Sequence, residues 1–406
     1  VTLTVTIEAL GARGEGIATV SGKRVFVPFT LKGETAEIDV NDERGTLVSL
    51  QDASTARAEP FCPHFGSCGG CALQHAGPDV YADFKRGLVI EALHHRGIET
   101  DVSALIDARG DGRRRATLHA TKTGAGFMRA NSHDLLNIDA CPILVPALRD
   151  KAPDIARQIG AMIGDSDILF TATDTGLDVT VRPARTLRPE RLVPLAQRLR
   201  LTRMALERET IFQLTPPTLT MGRATVELPT GSFLQATAAA ETVLTRLVVD
   251  AIDKPAGKSV GKVKHVADLF CGVGPFTLQL AEKWRVAAFD SDKPAVTALA
   301  SAIRYVQGIK AVTTSARDLF RDPLAPVELE PFDAVVFDPP RAGAEAQSRE
   351  LARSKVKTVV AVSCDPRSFA RDAAILIAGG YRLQSVVPVD QFAWSPHVEV
   401  VGVFRR

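Results

Sequence analysis

From residue 265 onward the chain repeats one pattern: a short apolar or β-branched run, a turn, then a segment with helical spacing. The runs His265–Phe270, Val286–Asp290, Ala311–Thr314, Phe332–Asp338 and Lys357–Ser363 are separated in this way. Such alternation admits little besides an α/β fold, a parallel sheet covered by helices and joined by right-handed crossovers. Two further runs, Arg382–Val389 and Val398–Phe404, are joined by a loop and are expected to pair as an antiparallel hairpin at one edge. Sheets of this kind build their sites beyond the carboxyl ends of the strands. The phrase VVAVSCDPRSFAR places Cys364 at such an end, with helical spacing resuming over Arg367–Ile377. A thiol there is either a nucleophile or a small core hydrophobe, which is what most free cysteines are.

The other strand ends carry acids. DLFCGVGPF follows the first run and opens a helix, so Gly272 and Gly274 allow close backbone approach to a ligand at the helix N-terminus. The third glycine of the dinucleotide fingerprint is missing and Asp268 sits inside the strand end, which argues against a nicotinamide dinucleotide. Asp290 closes the second run, where an acid accepts from ribose hydroxyls, and Asp318 follows the third, where one accepts from an adenine amino group. Asp338-Pro339-Pro340-Arg341 ends the fourth; with Arg341 in place of a base-stacking aromatic, methylation of an exocyclic amine is disfavoured. No cysteine follows the prolines there, so Cys364 is the nucleophile candidate of the pocket, and Cys271 is read as packing. Glu399 begins the last run and is the general-base candidate, the alternative being an exposed strand acid. His397 alternates with it, and Phe392 and Trp394 are either base-stacking or core rings. One thiol, one base and a methyl donor are what methylation at carbon-5 of a pyrimidine needs. The thiolate adds at carbon-6, carbon-5 attacks the methyl, and a base removes the carbon-5 proton.

The N-terminal part reads differently. Residues 1–57 alternate over 1–7, with further strand-like runs at Arg24–Val27 and Ala36–Val40, and suggest a small β-barrel. CPHFGSCGGCALQH then brings Cys62, Cys68 and Cys71 together on one loop, and Cys141 is the remaining cysteine for a fourth ligand. Four thiolates suit structural Zn²⁺ or an iron–sulfur cluster, and spacing leaves the two open. Val80–Arg96 has helical spacing with Phe84, Leu88 and Leu93 on one face, and residues from about 104 to 230 read as short strands and loops. Arginines gather at Arg109–Arg115 and again at Arg182–Arg208. In a chain whose net charge is only +2, they imply a segregated basic surface suited to phosphates. The start lacks a signal-peptide pattern and no apolar run is long enough for a bilayer, so a cytoplasmic monomer without membrane or obligate protein partner is expected.

GEGIATVSGKRVFVPFTLKGETAEI resembles the TRAM module of RNA-modifying enzymes, and the strand layout from residue 231 is similar to that of class I S-adenosylmethionine-dependent methyltransferases. DLFCGVGPFTL, DPPRAG, SCDPRSFARD and VDQFAWSPHVEVV, in that order, resemble the motifs of the RNA uracil-5-methyltransferase family, as do SFLQ and the cysteine cluster, and the resemblance covers nearly the whole chain. The resemblance implies a barrel (1–57), a central β-rich domain with a [4Fe–4S] cluster on Cys62, Cys68, Cys71 and Cys141 (58–230), and a Rossmann-like catalytic domain (231–406). It implies Cys364 as nucleophile, Glu399 as base, and Gln235, Phe270, Gly272, Gly274, Asp290, Asp318 and Asp338 around S-adenosylmethionine and the uracil, with Asp338 on the base. The implied partner is RNA, ribosomal rather than transfer. The rival readings are tRNA uridine-5 methylation, RNA cytosine-5 methylation, a non-catalytic RNA-binding or chaperone protein, and structural zinc in place of the cluster. Family members often carry Asn where this chain has Thr237, Pro275 and Asp365; Asp365 is expected to disfavour the Cys364 thiolate.

Overall fold

The computed structural model describes residues 2–186, 188–253 and 263–406; Val1, which opens the alternating N-terminal run, lies outside them. The predicted runs form the strands β1 (His265–Leu269), β2 (Arg285–Asp290), β3 (Val312–Ala316), β4 (Ala334–Phe337), β5 (Thr358–Ser363), β6 (Arg382–Asp390) and β7 (Glu399–Arg405). They lie in the order β3-β2-β1-β4-β5-β7-β6, followed by a two-residue strand at Ile106–Asp107. β1 to β5 are mutually parallel, and β7 inserts antiparallel between β5 and β6. The order reverses between β1 and β4, the switch point at which open sheets bind ligands. β5 is buried along its whole length, as its unbroken apolar run requires.

The β6–β7 hairpin forms as expected, but it does not end the sheet. Ile106–Asp107 adds parallel to β6, pairing Ile106 with Val389. The helix α1 (Pro78–His94) buries Tyr81, Phe84, Lys85, Val89, Ala92 and Leu93, a stripe of helical period. Val89, Ala92 and Leu93 share one core with Val359, Phe369 and Phe404 of the catalytic sheet. Residues 78–107, grouped by sequence with the central segment, therefore pack as part of the catalytic layer. The hairpin Thr218–Met221/Ala224–Glu227 likewise buries Leu219, Met221 and Val226 against Leu278 and Leu299.

The central part is a seven-stranded sheet crossed by a helix over Lys151–Ile163 that the sequence reading had as strands and loops. Pro153 and Gly160 mask it. Pro153 lies in the first turn, where its missing N–H costs nothing. Gly160 sits where an added Cβ would collide with the Thr121 carbonyl.

The two arginine clusters divide. Arg182, Arg185, Arg188, Arg191, Arg198, Arg200 and Arg208 are exposed, as a phosphate-binding surface requires. Arg203 instead makes a buried bidentate pair with Asp178 at 2.9 and 2.7 Å. Arg114 is buried on Glu241 and the Gln235 carbonyl, and Arg115 donates to the carbonyls of Gly231 and Ser232. Arg114 and Arg115 of the first cluster thus clamp the loop before Gln235 rather than facing solvent.

Near the N-terminus six strands form one sheet around Ile7, Ala18, Val25, Val27, Ala36 and Ile38, consistent with the expected barrel. Arg57 joins it to the cysteine segment through Glu34 at 2.8 Å. Among the described residues no helix is long and apolar enough to cross a membrane.

Candidate active site and cysteine cluster

The ends of β4, β5, β6 and β7 converge. Cys364 follows β5 and is half-buried. Asp365 next to it caps the helix α2 (Pro366–Ala378), accepting from the Arg367 and Ser368 amides at 3.0 and 2.9 Å. Its charge is directed into the helix end, where an anion is favoured, rather than at the thiol. The expected penalty comes from elsewhere. Burial, then Glu399 and Asp338, push the Cys364 thiol up to about 12, and Arg341 pulls it back. Arg341 also meets His397 Nε2 at 3.0 Å. His397 lies just outside β7.

Glu399 is buried at the first position of β7, not exposed. Burial, and then the neighbouring Asp338, hold its carboxyl well above the usual carboxylate range. Oε1 accepts from Gln391 Nε2 at 2.7 Å, whereas Oε2 is buried and has no partner. The same Nε2 donates to Gln235 Oε1 at 2.7 Å, and Gln235 Nε2 donates to Asp338 Oδ2 at 2.7 Å. Asp338, Gln235, Gln391 and Glu399 thus form one hydrogen-bonded chain. Burial pushes Asp338 up to about 7.

Across the switch point, Gly272 has φ +54° and open space where a Cβ would be, and its amide donates to Asp290 Oδ2 at 2.8 Å. At Gly274 (φ +91°) a Cβ would strike Leu299, so only glycine fits. Pro275 opens the following helix, where the lost N–H was unneeded. Phe270 also has positive φ and packs on the half-exposed Phe320 with centroids 5.4 Å apart. Asp318 accepts from the Phe320 amide at 3.0 Å. Buried Asp268 is pushed up to about 7 by desolvation and has an unpartnered Oδ1. Thr237 donates to the Ala108 carbonyl at 2.6 Å and accepts from the Ala240 amide at 3.0 Å, so its hydroxyl is used in the helix start. Cys271 is buried packing, as expected. Open glycine backbone flanked by acids on successive strand ends fits the charge and hydroxyl pattern of S-adenosylmethionine.

Two groups were missed from sequence. Gln391 stood within a quoted phrase, but nothing local marks it. Lys85 is fully buried on α1 and donates to Asp390 Oδ1 (2.6 Å) and the carbonyls of Phe392 (2.9 Å) and His397 (2.6 Å). All three ammonium hydrogens are thereby used. Burial outweighs this pairing and lowers Lys85 to about 8. Asp390 also accepts from the Tyr81 hydroxyl at 2.6 Å. Trp394, a stacking candidate, packs on Tyr81 at 4.7 Å, and its carbonyl accepts from Ala72 and Leu73, just past Cys71. It ties the cysteine loop to the catalytic tail.

The four cysteines Cys62, Cys68, Cys71 and Cys141 are free thiols that act on one another electrostatically. Burial leads in pushing Cys71 up to about 11 and Cys141 up to about 12; Gln74 and the Ile143 amide donate to them and oppose the shift. The Gly70 amide lies 3.4 Å from Cys68 Sγ. Among the described residues no three His, Cys, Asp or Glu side chains stand in metal-holding geometry. The donor chemistry, thiols collecting N–H donors, fits a thiolate-bound group.

Residues 186–406, more than half of the chain, match the family model described as tRNA (uracil-5-)-methyltransferase. The chain belongs to the RNA uracil-5-methyltransferases. Residues 1–46 match the TRAM domain. An RNA methyltransferase of Brucella suis biovar 1 is 44% identical over 99% of this chain and 97% of its own length. The 23S rRNA (uracil(1939)-C(5))-methyltransferase RlmD of Halomonas elongata is 34% identical over 97% of this chain and 87% of its own. The fold is that of the Pyrococcus abyssi tRNA (uracil-54, C5)-methyltransferase solved with S-adenosyl-L-homocysteine: TM-score 0.75 at 22% identity, covering 99% and 100% of the two chains. This uracil-5-methyltransferase is S-adenosylmethionine-dependent and acts on RNA, as its motifs implied.

Proposed function

We propose that this enzyme methylates carbon-5 of one uridine in 23S ribosomal RNA through a covalent bond between Cys364 and carbon-6. The observation that carries the mechanism is the unpartnered, buried Oε2 of Glu399, electrostatically linked to Cys364 at the end of the Asp338–Gln235–Gln391–Glu399 chain. The RlmD relative supports the ribosomal substrate.

In this reading Gly272, Gly274, Asp290, Asp318 and Phe270 hold the methyl donor, which supplies an electrophilic methyl group. Asp338 accepts from uracil N3–H and Gln235 donates to O4. The Cys364 thiol, uncharged at neutral pH, gives up its proton to bulk water as sulfur bonds to carbon-6. Arg341 stabilises the negative charge that develops. Carbon-5 then takes the methyl, Glu399 Oε2, ionised for this step, removes the carbon-5 proton, and the carbon–sulfur bond breaks; the aromatic ring is restored and the departing thiolate takes the proton back from Glu399.

The test is tritium release from 23S rRNA transcripts labelled at carbon-5 of uridine, with cytidine-labelled transcripts in parallel. Donor-dependent release from uridine alone supports the proposal; release from labelled tRNA and not rRNA would move it to the tRNA reading. A pH profile adds a second check. Asp338 must be ionised to accept from N3–H, and its raised value predicts that the fall of kcat/KM on acidification steepens by roughly a further tenfold per pH unit below about 7. An acid limb centred near 4 would remove Asp338 from that role.

Cys62, Cys68, Cys71 and Cys141 would hold a [4Fe–4S] cluster that staples the barrel, the cysteine loop and the Trp394 turn together. Anaerobically purified protein is expected to contain about four iron and four labile sulfide per chain. About one zinc per chain without sulfide would overturn that assignment.

A further inference from the structure

The direction of the hydrogen bonds that Gln391 makes to Gln235 and Glu399 is fixed by one backbone amide. The ionised Asp338 carboxylate, which can only accept, favours the same orientation of Gln235. Side-chain amides are usually ambiguous, because oxygen and nitrogen can be exchanged without changing the shape. Here the Ala236 N–H points at Gln391 from 2.7 Å. A backbone N–H can only donate, so the Gln391 atom facing it must be the oxygen. The other end of the amide is therefore NH₂, and its two hydrogens meet Gln235 and Glu399 at 2.7 Å each. Gln235 must then turn its own oxygen to Gln391 and its NH₂ toward Asp338. One NH₂ hydrogen of Gln235 is used on Asp338 and the other is free for a ligand. No acceptor of Gln235 faces the pocket.

We propose that Gln391 is a positioning residue that selects uracil over cytosine by locking the amide of Gln235 in its donating orientation. The inference rests on the uridine reading above and assigns its base selectivity. Uracil offers O4 as an acceptor next to N3–H as a donor. Cytosine offers the reverse, an amino group next to a bare N3. A pocket presenting the Gln235 N–H beside the Asp338 carboxylate matches the first pattern and opposes the second at both positions. Were Gln235 free to turn over, its oxygen could accept from the cytosine amino group and half of that opposition would vanish. Sites built to hydrogen-bond one pattern reject the other strongly because their own polar groups are left unpaired.

Two substitutions separate positioning from simple support. Gln391→Met removes the lock and leaves only the Asp338 carboxylate to oppose turning of Gln235. Gln391→Glu keeps an oxygen for the Ala236 N–H but replaces the donor by a second acceptor, which draws the Gln235 NH₂ to itself and inverts the lock. With the target uridine mapped, the substrates are the RNA fragment that carries it and the same fragment with cytidine at that position. Methyl transfer is measured on both, and filter binding on both supplies the ratio where turnover is lost. The uridine-to-cytidine ratio is expected to fall roughly tenfold in Gln391→Met and further in Gln391→Glu, with S-adenosylmethionine affinity near wild type. The melting temperature of Gln391→Met falls, because the Ala236 N–H and Glu399 Oε1 lose their partner, but that fall acts on both fragments alike and leaves the ratio untouched. Equal losses on both fragments, with the ratio within about twofold of wild type, would overturn the proposal and leave Gln391 as support alone. Wild-type protein that methylates neither fragment would instead refute the uridine reading.

Discussion

Replacing Cys364 by alanine is expected to abolish carbon-5 tritium release, a loss of roughly 10⁴-fold or more, as when other covalent catalysts lose their nucleophile. The thiol is half-buried at a strand end and belongs to no large apolar cluster, so the fold and donor binding should survive, which a melting curve and a donor-binding titration would check. Glu399→Gln gives the complementary result. The amide can still accept from Gln391 but cannot remove a proton. The thiol adds, the methyl is transferred, and elimination stalls. RNA bound covalently to protein, resistant to detergent and carrying the label of the donor methyl, is expected to accumulate on a denaturing gel. Residual tritium release in the alanine variant would remove Cys364 from the mechanism; free turnover by Glu399→Gln without an adduct would remove Glu399.

Lys85→Met should destabilise the protein by about 3–5 kcal/mol, the usual consequence of removing one partner of a buried ion pair. Both side chains of the pair are essentially inaccessible to solvent. Without Lys85, Asp390 keeps only the Tyr81 hydroxyl and a 3.9 Å approach from Arg109, and the carbonyls of Phe392 and His397 lose their donor. Since that loop leads directly into Glu399, kcat should fall along with the melting temperature. The double variant Lys85→Met/Asp390→Asn leaves no buried charge and is expected to recover more than half of the lost stability. No recovery would mean that the two carbonyl bonds, not the charge pair, dominate.

The catalytic sheet was legible because each strand announces itself locally, through an apolar run ended by an acid, a glycine or Cys364. The observed strands depart from the predicted ones by only one or two residues at most ends. What local pattern could not supply was who meets whom across the chain. Lys85 sits in a helix whose spacing was read correctly, yet its partner is 305 residues away. Gln391 looks like any loop amide until the Ala236 N–H is placed against it. Arg114, Arg115 and Arg203 have the composition of a phosphate surface, and only their partners show that the first two brace the Gln235 loop and the third is spent in a buried pair with Asp178. Asp365 was read as a charge beside a thiol, whereas helix geometry turns it into a cap.

The clasp of α1 on the end of β6 also bears on when the protein becomes active during its own synthesis. Lys85 and Asp390 are separated by 305 residues. At typical elongation rates of about 5–20 residues per second, the helix waits on the order of 15–60 s for its partner. Until then an ammonium group built for burial has no counter-charge, and the loop leading to Glu399 has no anchor. Contacts of such long range are slow to form. A nascent chain, even one that has folded its barrel and held an RNA, remains chemically inert until its last strands close on its first helix.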